Sequence, residues 1–264
     1  MNRDKKYVML SFDTEEFDIP REQGKIIPLS EKVRVSEEGT NKILDILKAE
    51  GIRATFYCTT VLMLNASKLA KRIIAEGHEM ASHGCDHGDP RPEHVIESKK
   101  ILEKQFGVKI YGYRQPRMFA VNNNVLKREG YTYNSSINPA FIPGRYMHLN
   151  VSRLPFMKDG VLQIPASVTP WLKFPLFWLS EHHLPMWTYE ALVRKTLRHD
   201  GYFNTYFHPW EFVKISGVPE YGIPYIIGHN AGEPMQKRLQ HLIQMLKAEG
   251  AEFITYNEFT QLYL

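Results

Sequence analysis

A strand-like run followed by a helix-like run recurs along the chain, and this repetition limits the fold more than any other feature. Tyr7 to Phe12 is a short apolar run closed by acidic residues, which reads as a buried strand. From Ser36 to Ala49, Ile43, Leu44 and Leu47 stand at helical spacing, with Ser36 as N-cap and Gly51 as stop. The same reading gives strands at 54–58, 79–82, 110–113, 131–135, 161–164, 202–207 and 252–255. Helices fall between them at 66–75, 92–106, 122–129, 189–198 and 235–247. Strands alternating with helices in short steps imply parallel βαβ units and an α/β fold. Seven or eight such units favour a barrel over an open sheet, and 264 residues suit one barrel. No linker or internal repeat divides residues 1–264, so one domain is expected.

Two stretches interrupt the alternation. One, about 165–187, holds Trp171, Phe174, Phe177, Trp178 and Trp187 among prolines. The other, about 216–234, is rich in glycine and proline and ends with His229, Asn230 and Gly232. Both are expected as long loop insertions, which often carry function. Composition excludes several classes. With 43% hydrophobic and 23% charged residues the chain can bury a core and is not disordered. Basic residues number 33 against 29 acidic ones with no long basic run, so no nucleic-acid partner is expected. No apolar stretch approaches the roughly 20 residues of a transmembrane segment. No secretory signal is read near Tyr7–Phe12, and Cys58 and Cys85 read as reduced thiols, so a cytoplasmic location is expected.

Polar clusters follow the strand ends, where active sites form in parallel α/β folds. His83 and His87, in Ser82-His83-Gly84-Cys85-Asp86-His87, are spaced to present two imidazoles to one metal. Taken alone they read more simply as surface-loop histidines. Four carboxylates lie in Asp13-Thr14-Glu15-Glu16-Phe17-Asp18, and strand alternation puts Asp13 and Glu15 on one side. One could complete a metal site and the other serve as general base; the plainer reading is an acidic, solvated loop. Arg114, in Tyr113-Arg114-Gln115-Pro116-Arg117, could orient a carboxylate through a bidentate pair. His208, in Tyr206-Phe207-His208-Pro209-Trp210-Glu211, could protonate a leaving group, although a lone histidine beside aromatics is more often structural.

Together, in this chain order, these clusters resemble the NodB-homology polysaccharide deacetylases, also called family 4 carbohydrate esterases. The family's TFDDG motif resembles Ser11 to Asp18, its H-[ST]-x-x-H motif resembles His83 to His87, and its R-x-P motif resembles Arg114 to Pro116. Tyr206 to His208 resembles its late histidine motif, and the YFHPWE run looks like one subgroup of the family. The resemblance implies a single distorted (β/α) barrel of seven or eight parallel strands. It also implies a divalent metal, zinc first and then cobalt, nickel or iron. By resemblance His83 and His87 are metal ligands, Asp13 is the base, Arg114 holds Asp13 ionised, and His208 is the acid. Tyr57, through a nearby backbone N–H, together with Pro116, Arg117 and Trp210, is expected at the substrate.

Three departures bear on the chemistry. Thr14 stands where the family has a metal-binding Asp, so Glu15 is expected to take that place. Asn134 stands where an Asp is common, and Arg117 and Met118 follow the proline in place of small or aromatic residues. The expected activity is metal-dependent removal of an acetyl group from an amino sugar or glycan intermediate. For a cytoplasmic enzyme, nucleotide-linked and lipid-linked sugars are the candidate partners. Two alternatives stand beside it: a metal-independent, allantoinase-like amidohydrolase, and a carbohydrate-binding barrel that has lost catalysis.

Overall fold

Strand β1 (Lys6–Thr14) alternates between two apolar environments. Val8, Leu10 and Phe12 face outward into the core shared with the helices. Tyr7 and Met9 face inward, among Tyr57, Tyr133, Leu162, Tyr202 and Tyr256. The period of two carries Ser11 and Asp13 to the inward side, where Ser11 Oγ lies 3.5 Å from the Tyr256 hydroxyl. The structure, a computed structural model, describes residues 5–142, 146–147 and 150–264.

The remaining strands are β2 (Thr55–Cys58), β3 (Glu79–Ser82), β4 (Gly112–Tyr113), β5 (Tyr133–Asn134), β6 (Phe141–Ile142) and β7 (Tyr146–Met147). After them come β8 (Phe156–Lys158), β9 (Val161–Gln163), β10 (Tyr202–Phe207) and β11 (Ala251–Phe253). The sheet runs β10-β1-β2-β3-β4-β5-β9-β8, with β11 paired to the start of β1. Seven strands of this path are parallel and β11 adds an eighth, as expected; β8 pairs antiparallel with β9. Strands β6 and β7 form a separate antiparallel pair.

The barrel is distorted where it closes. Among the described residues no ladder joins β9 to β10. Asn204 of β10 bridges the gap with its side chain, accepting the Ser167 N–H at 2.8 Å and donating to the Pro165 carbonyl at 2.9 Å. Ser167 Oγ in return accepts the Asn204 N–H at 3.0 Å. A buried amide thus replaces the backbone pairing that a closed barrel would supply, which satisfies the edge groups.

Several boundaries differ from the sequence reading. The first long helix spans Leu29–Ala49, and Ser36 lies buried inside it rather than capping it. Val33 and Val35 extend its buried face toward the N-terminus, and the helix starts after Pro28. Strand β8 was not expected. Asp159 (φ 52°) and Gly160 (φ 80°) form the two-residue hairpin that joins it to β9, an Asp-Gly turn of the kind that matches strand twist. The two insertions are not bare loops, since they hold the helices Trp178–His183 and Tyr225–Gly228. A C-terminal helix, Tyr256–Tyr263, was also missed; Thr255 and Glu258 cap it reciprocally. Cys58 and Cys85 are free thiols. Among the described residues no helix is long and apolar enough to cross a membrane.

The helix Leu29–Ala49 packs on the turn that follows β10, and Gly39 makes the close approach possible. A Cβ at Gly39 would stand 1.9 Å from the Pro209 carbonyl oxygen, a backbone atom that cannot rotate away. Gly39→Ala is therefore expected to lower stability by roughly 1–3 kcal/mol, read as a drop in melting temperature. An unchanged melting temperature would show that this contact is not tight.

Candidate metal centre and acid–base site

Arg114 lies one residue past β4 and is wholly buried. A buried guanidinium is costly unless its charge and its donors are matched. Asp13, at the end of β1, supplies the charge, with Oδ1 2.5 Å from Nη1. Ser135 accepts from Nε through its carbonyl and from Nη2 through its hydroxyl, both at 3.0 Å. The Tyr256 hydroxyl accepts from Nη2 at 3.4 Å, and the Tyr57 ring lies 3.9 Å beneath the guanidinium carbon. Burial pushes the Asp13 carboxyl up, but Arg114, with His83 and His208, outweighs it and leaves the group below its ordinary value. Asp13 is therefore held as an anion.

Beside this pair, Glu15, His83 and His87 converge. Glu15 Oε2 lies 3.0 Å from His83 Nε2 and 3.3 Å from His87 Nε2. His83 Nδ1 lies 2.8 Å from the Arg114 carbonyl. A ring nitrogen facing a carbonyl carries the proton, so Nε2 is left with its lone pair toward Glu15. His83 and His87 sit on a loop after β3 rather than on a helical turn. Gly84, in the left-handed region at φ 75°, turns that loop, and the two rings stack 6.0 Å apart. Burial pushes Glu15 well above the usual carboxylate range; His87 offsets this only in part, and Asp13, Glu16 and Asp18 add to it. Burial lowers His83. Burial also opposes a charge on His87, but Glu15 and Asp18 outweigh it and raise that histidine.

This donor set fits a divalent cation. One atom from each of Glu15, His83 and His87 lies within 4.8 Å of the others. Two imidazoles and a carboxylate, facing a cavity, match a catalytic zinc set with open positions. Among the described residues Glu15 itself is paired only with histidines and with no lysine or arginine, and the same ion would supply that charge. Cys85, His94 and Glu97 form a second such group. Thr14 takes no part: it is buried, and its hydroxyl donates to the Phe12 carbonyl at 3.2 Å.

A cavity of about 710 Å³ opens onto the site. Asp13, Glu15, His83, His87 and His208 line its polar side, and Met118, Phe119, Val121, Phe156 and Ile227 line an apolar wall. His208 follows β10, with Nε2 3.9 Å from Asp13 Oδ2. Its Nδ1 is 2.9 Å from Glu211 Oε1, and Trp210 stacks on its ring at 5.3 Å.

The structure thus brings Asp13, Glu15, His83, His87, Arg114 and His208 together. Arg117 and Trp210 also border the cavity. Arg117 is tied to Glu22 at 2.5 Å and to Asp18 at 3.5 Å, with Arg117 and Met118 both in the left-handed region (φ 59° and 53°). Two expected substrate residues do not reach the cavity. The Tyr57 side chain turns inward like its register partner Asp13, but it is fully buried as the floor under Arg114, which covers it. Pro116 is buried too, beside the Gly84 turn, and shapes the loop instead.

Other residues of the site carried no assigned role in the sequence. Glu16 accepts the His87 backbone N–H at 2.7 Å and the Thr59 hydroxyl at 2.8 Å, which fixes the histidine loop. Asp18 stands 3.9 Å from His87 Nδ1 and pairs with Lys32 at 2.8 Å. The acidic run signalled both carboxylates, but not which way each one faces. Tyr256 had a signal in the Thr255-x-x-Glu258 capping box ahead of its helix.

Known proteins resemble this chain in part of its sequence or in its fold. A chitooligosaccharide deacetylase of Rhizobium leguminosarum bv. phaseoli is 39% identical over 75 residues, covering 27% of this chain and 32% of that protein. Across the curated relatives first matched, the aligned stretch spans 23% to 32% of their own length. A Mycobacterium smegmatis protein solved under the name polysaccharide deacetylase superposes with a TM-score of 0.68 at 18% identity, over 98% of this chain and 90% of its own. The allantoinase Puue superposes with a TM-score of 0.66 at 15% identity, over 97% and 89%. At these identities the likeness is one of fold. Residues 1–133, just over half of the chain and the part that carries Asp13, Glu15, His83, His87 and Arg114, match the polysaccharide deacetylase model, and the chain belongs to the polysaccharide deacetylase family.

Proposed function

We propose that this chain is a metal-dependent hydrolase that removes an acetyl group from an amino sugar or glycan intermediate. One observation carries the reading. A single cavity holds an anionic Asp13 beside the Glu15–His83–His87 donor set, with His208 across from Asp13 at 3.9 Å. Glu15, His83 and His87 would hold the divalent ion, zinc first, with cobalt, nickel or iron as alternatives. Such an ion, when bound, lowers the pKa of a water and polarises the acetyl carbonyl.

The protein residues divide the proton work. Arg114 occupies Asp13 Oδ1, which leaves Oδ2 facing His208 and the cavity. Asp13 Oδ2 accepts the proton of the attacking water. His208 Nε2 delivers a proton to the departing nitrogen or oxygen, while Glu211 holds its Nδ1. Arg114 keeps the base ionised and fixes its plane. Trp178 and Trp210 flank the His208 ring and limit its movement. The apolar wall at Met118, Phe119, Val121, Phe156 and Ile227 suits a substrate with an apolar portion beside the sugar. Nucleotide-linked and lipid-linked sugars are the substrate candidates. Glu15 stands in for the residue that Thr14 does not supply, which counts against a barrel that only binds sugar.

Acetate release from acetylated amino-sugar substrates, measured with metal content, tests the reading. The wild-type chain should carry about one divalent ion at this three-ligand site. His87→Ala and Glu15→Ala should lose the ion and the activity together. Asp13→Asn should keep the ion and lose turnover by about 10²–10⁴-fold, the usual weight of a general base. Full turnover in Asp13→Asn would remove the base assignment. Acetate release without any metal would favour the metal-independent amidohydrolase.

A further inference from the structure

The insertion at 165–187 contributes the helix Trp178–His183, and His182 on it is buried behind His208. His182 Nε2 lies 3.1 Å from Glu211 Oε2. The other oxygen of the same carboxylate, Oε1, accepts the His208 backbone N–H at 2.6 Å and faces His208 Nδ1 at 2.9 Å. One fully buried carboxylate is therefore shared by two imidazoles. His208 borders the cavity, whereas His182 does not. Nothing in the hydrolytic scheme uses His182.

Its protonation follows from its surroundings. A ring nitrogen facing a carboxylate carries the proton, so the hydrogen of His182 sits on Nε2. Its Nδ1 finds no hydrogen-bond partner among the described residues, which fits the bare nitrogen of a neutral ring. We infer that His182 is a positioning residue for the acid–base histidine. It donates to Glu211, favours the ionised carboxylate, and so holds His208 with Nδ1–H on Glu211 and Nε2 toward Asp13. The inference rests on the reading of His208 as the proton donor.

The electrostatics are consistent with that geometry. Burial pushes the Glu211 carboxyl up to about 7, against the pull of His208, and Asp13 adds to the rise. Burial holds His182 neutral, down to about 4, with Arg238 of the helix Glu233–Ala248 adding to the effect. Glu181, on the same short helix as His182, is raised to about 8 by burial and is neutral near pH 7. Glu211 is thus balanced near neutrality between its two forms. Each N–H donor favours the anion, so loss of one donor tips it toward the acid. The neutral carboxyl would then accept more weakly from His208, because the charge that strengthens both bonds is gone.

Nuclear magnetic resonance on the full chain tests this without relying on turnover. In wild-type protein, imidazole ¹⁵N shifts at neutral pH should show His182 as the neutral Nε2–H form and His208 with a proton on Nδ1. A neutral Nδ1–H form of His182, or a doubly protonated ring, would overturn the inference. The Glu211 carboxyl, labelled with ¹³C and assigned through Glu211→Gln, gives the second readout. His182→Phe should raise its midpoint by roughly one pH unit and lower kcat more than it changes KM. His182→Gln retains an N–H donor and should restore the wild-type midpoint. A folded His182→Phe with an unchanged midpoint, or a His182→Gln that behaves like Phe, would also overturn it. Intact resonances in a protein that releases no acetate would instead remove the hydrolase reading and leave the Glu211 network standing.

Discussion

The site depends on one ion pair, Arg114 with Asp13, buried at the centre of the barrel. Breaking such a pair strands a charge in low dielectric and typically costs several kcal/mol. The rest of the barrel interior is arranged to prevent that. Tyr57, Tyr256 and Ser135 come from three separate segments and all face the guanidinium. The Arg114 carbonyl then fixes His83, which faces Glu15. Orientation of Asp13 and of the Glu15–His83–His87 set is thereby one problem, solved by one side chain and its own backbone.

Around this centre, the two histidines His87 and His208 each have supporting partners. His87 is held through Glu16 and Asp18, and Asp18 is tied in turn to Lys32 and Arg117. His208 is held through Glu211 and flanked by Trp210 and Trp178. Supporting groups of this kind set tautomer and geometry for the residues that face substrate. The consecutive left-handed residues Arg117 and Met118 lie at the rim of the same cavity. Strain of this kind persists where surrounding contacts enforce it, and the Arg117 pairs with Asp18 and Glu22 do so here.

Much of this was legible in the sequence, for a physical reason. Polar residues that follow apolar runs mark strand ends, and in a parallel barrel all such ends open onto one face. That rule alone places Asp13, His83, Arg114 and His208 at one end of the barrel. Strand parity put Asp13 and Glu15 on one side and explains why Thr14 turns away. What was not legible depended on long-range packing. Tyr57 reads as a cavity residue until Arg114 is seen to lie on it. The carboxylates Glu16 and Asp18 share a run with Glu15, but their directions depend on Thr59, Lys32 and the histidine loop. His182 sat inside an aromatic stretch with no periodic signal. The C-terminal helix and the β8–β9 hairpin do carry local signals, the Thr255–Glu258 capping box and Asp159-Gly160, but each element is too short to show a hydrophobic period.

The central claim is that Glu15, His83 and His87 are the metal ligands beside an ionised Asp13. X-ray absorption spectroscopy on the zinc-loaded chain tests it most directly. The account predicts nitrogen and oxygen scatterers at about 2.0–2.1 Å with the outer-shell signature of two imidazoles. That signature should fall to one imidazole or vanish in His87→Ala. A sulfur shell near about 2.3 Å would place the ion at Cys85, His94 and Glu97 instead and contradict the account.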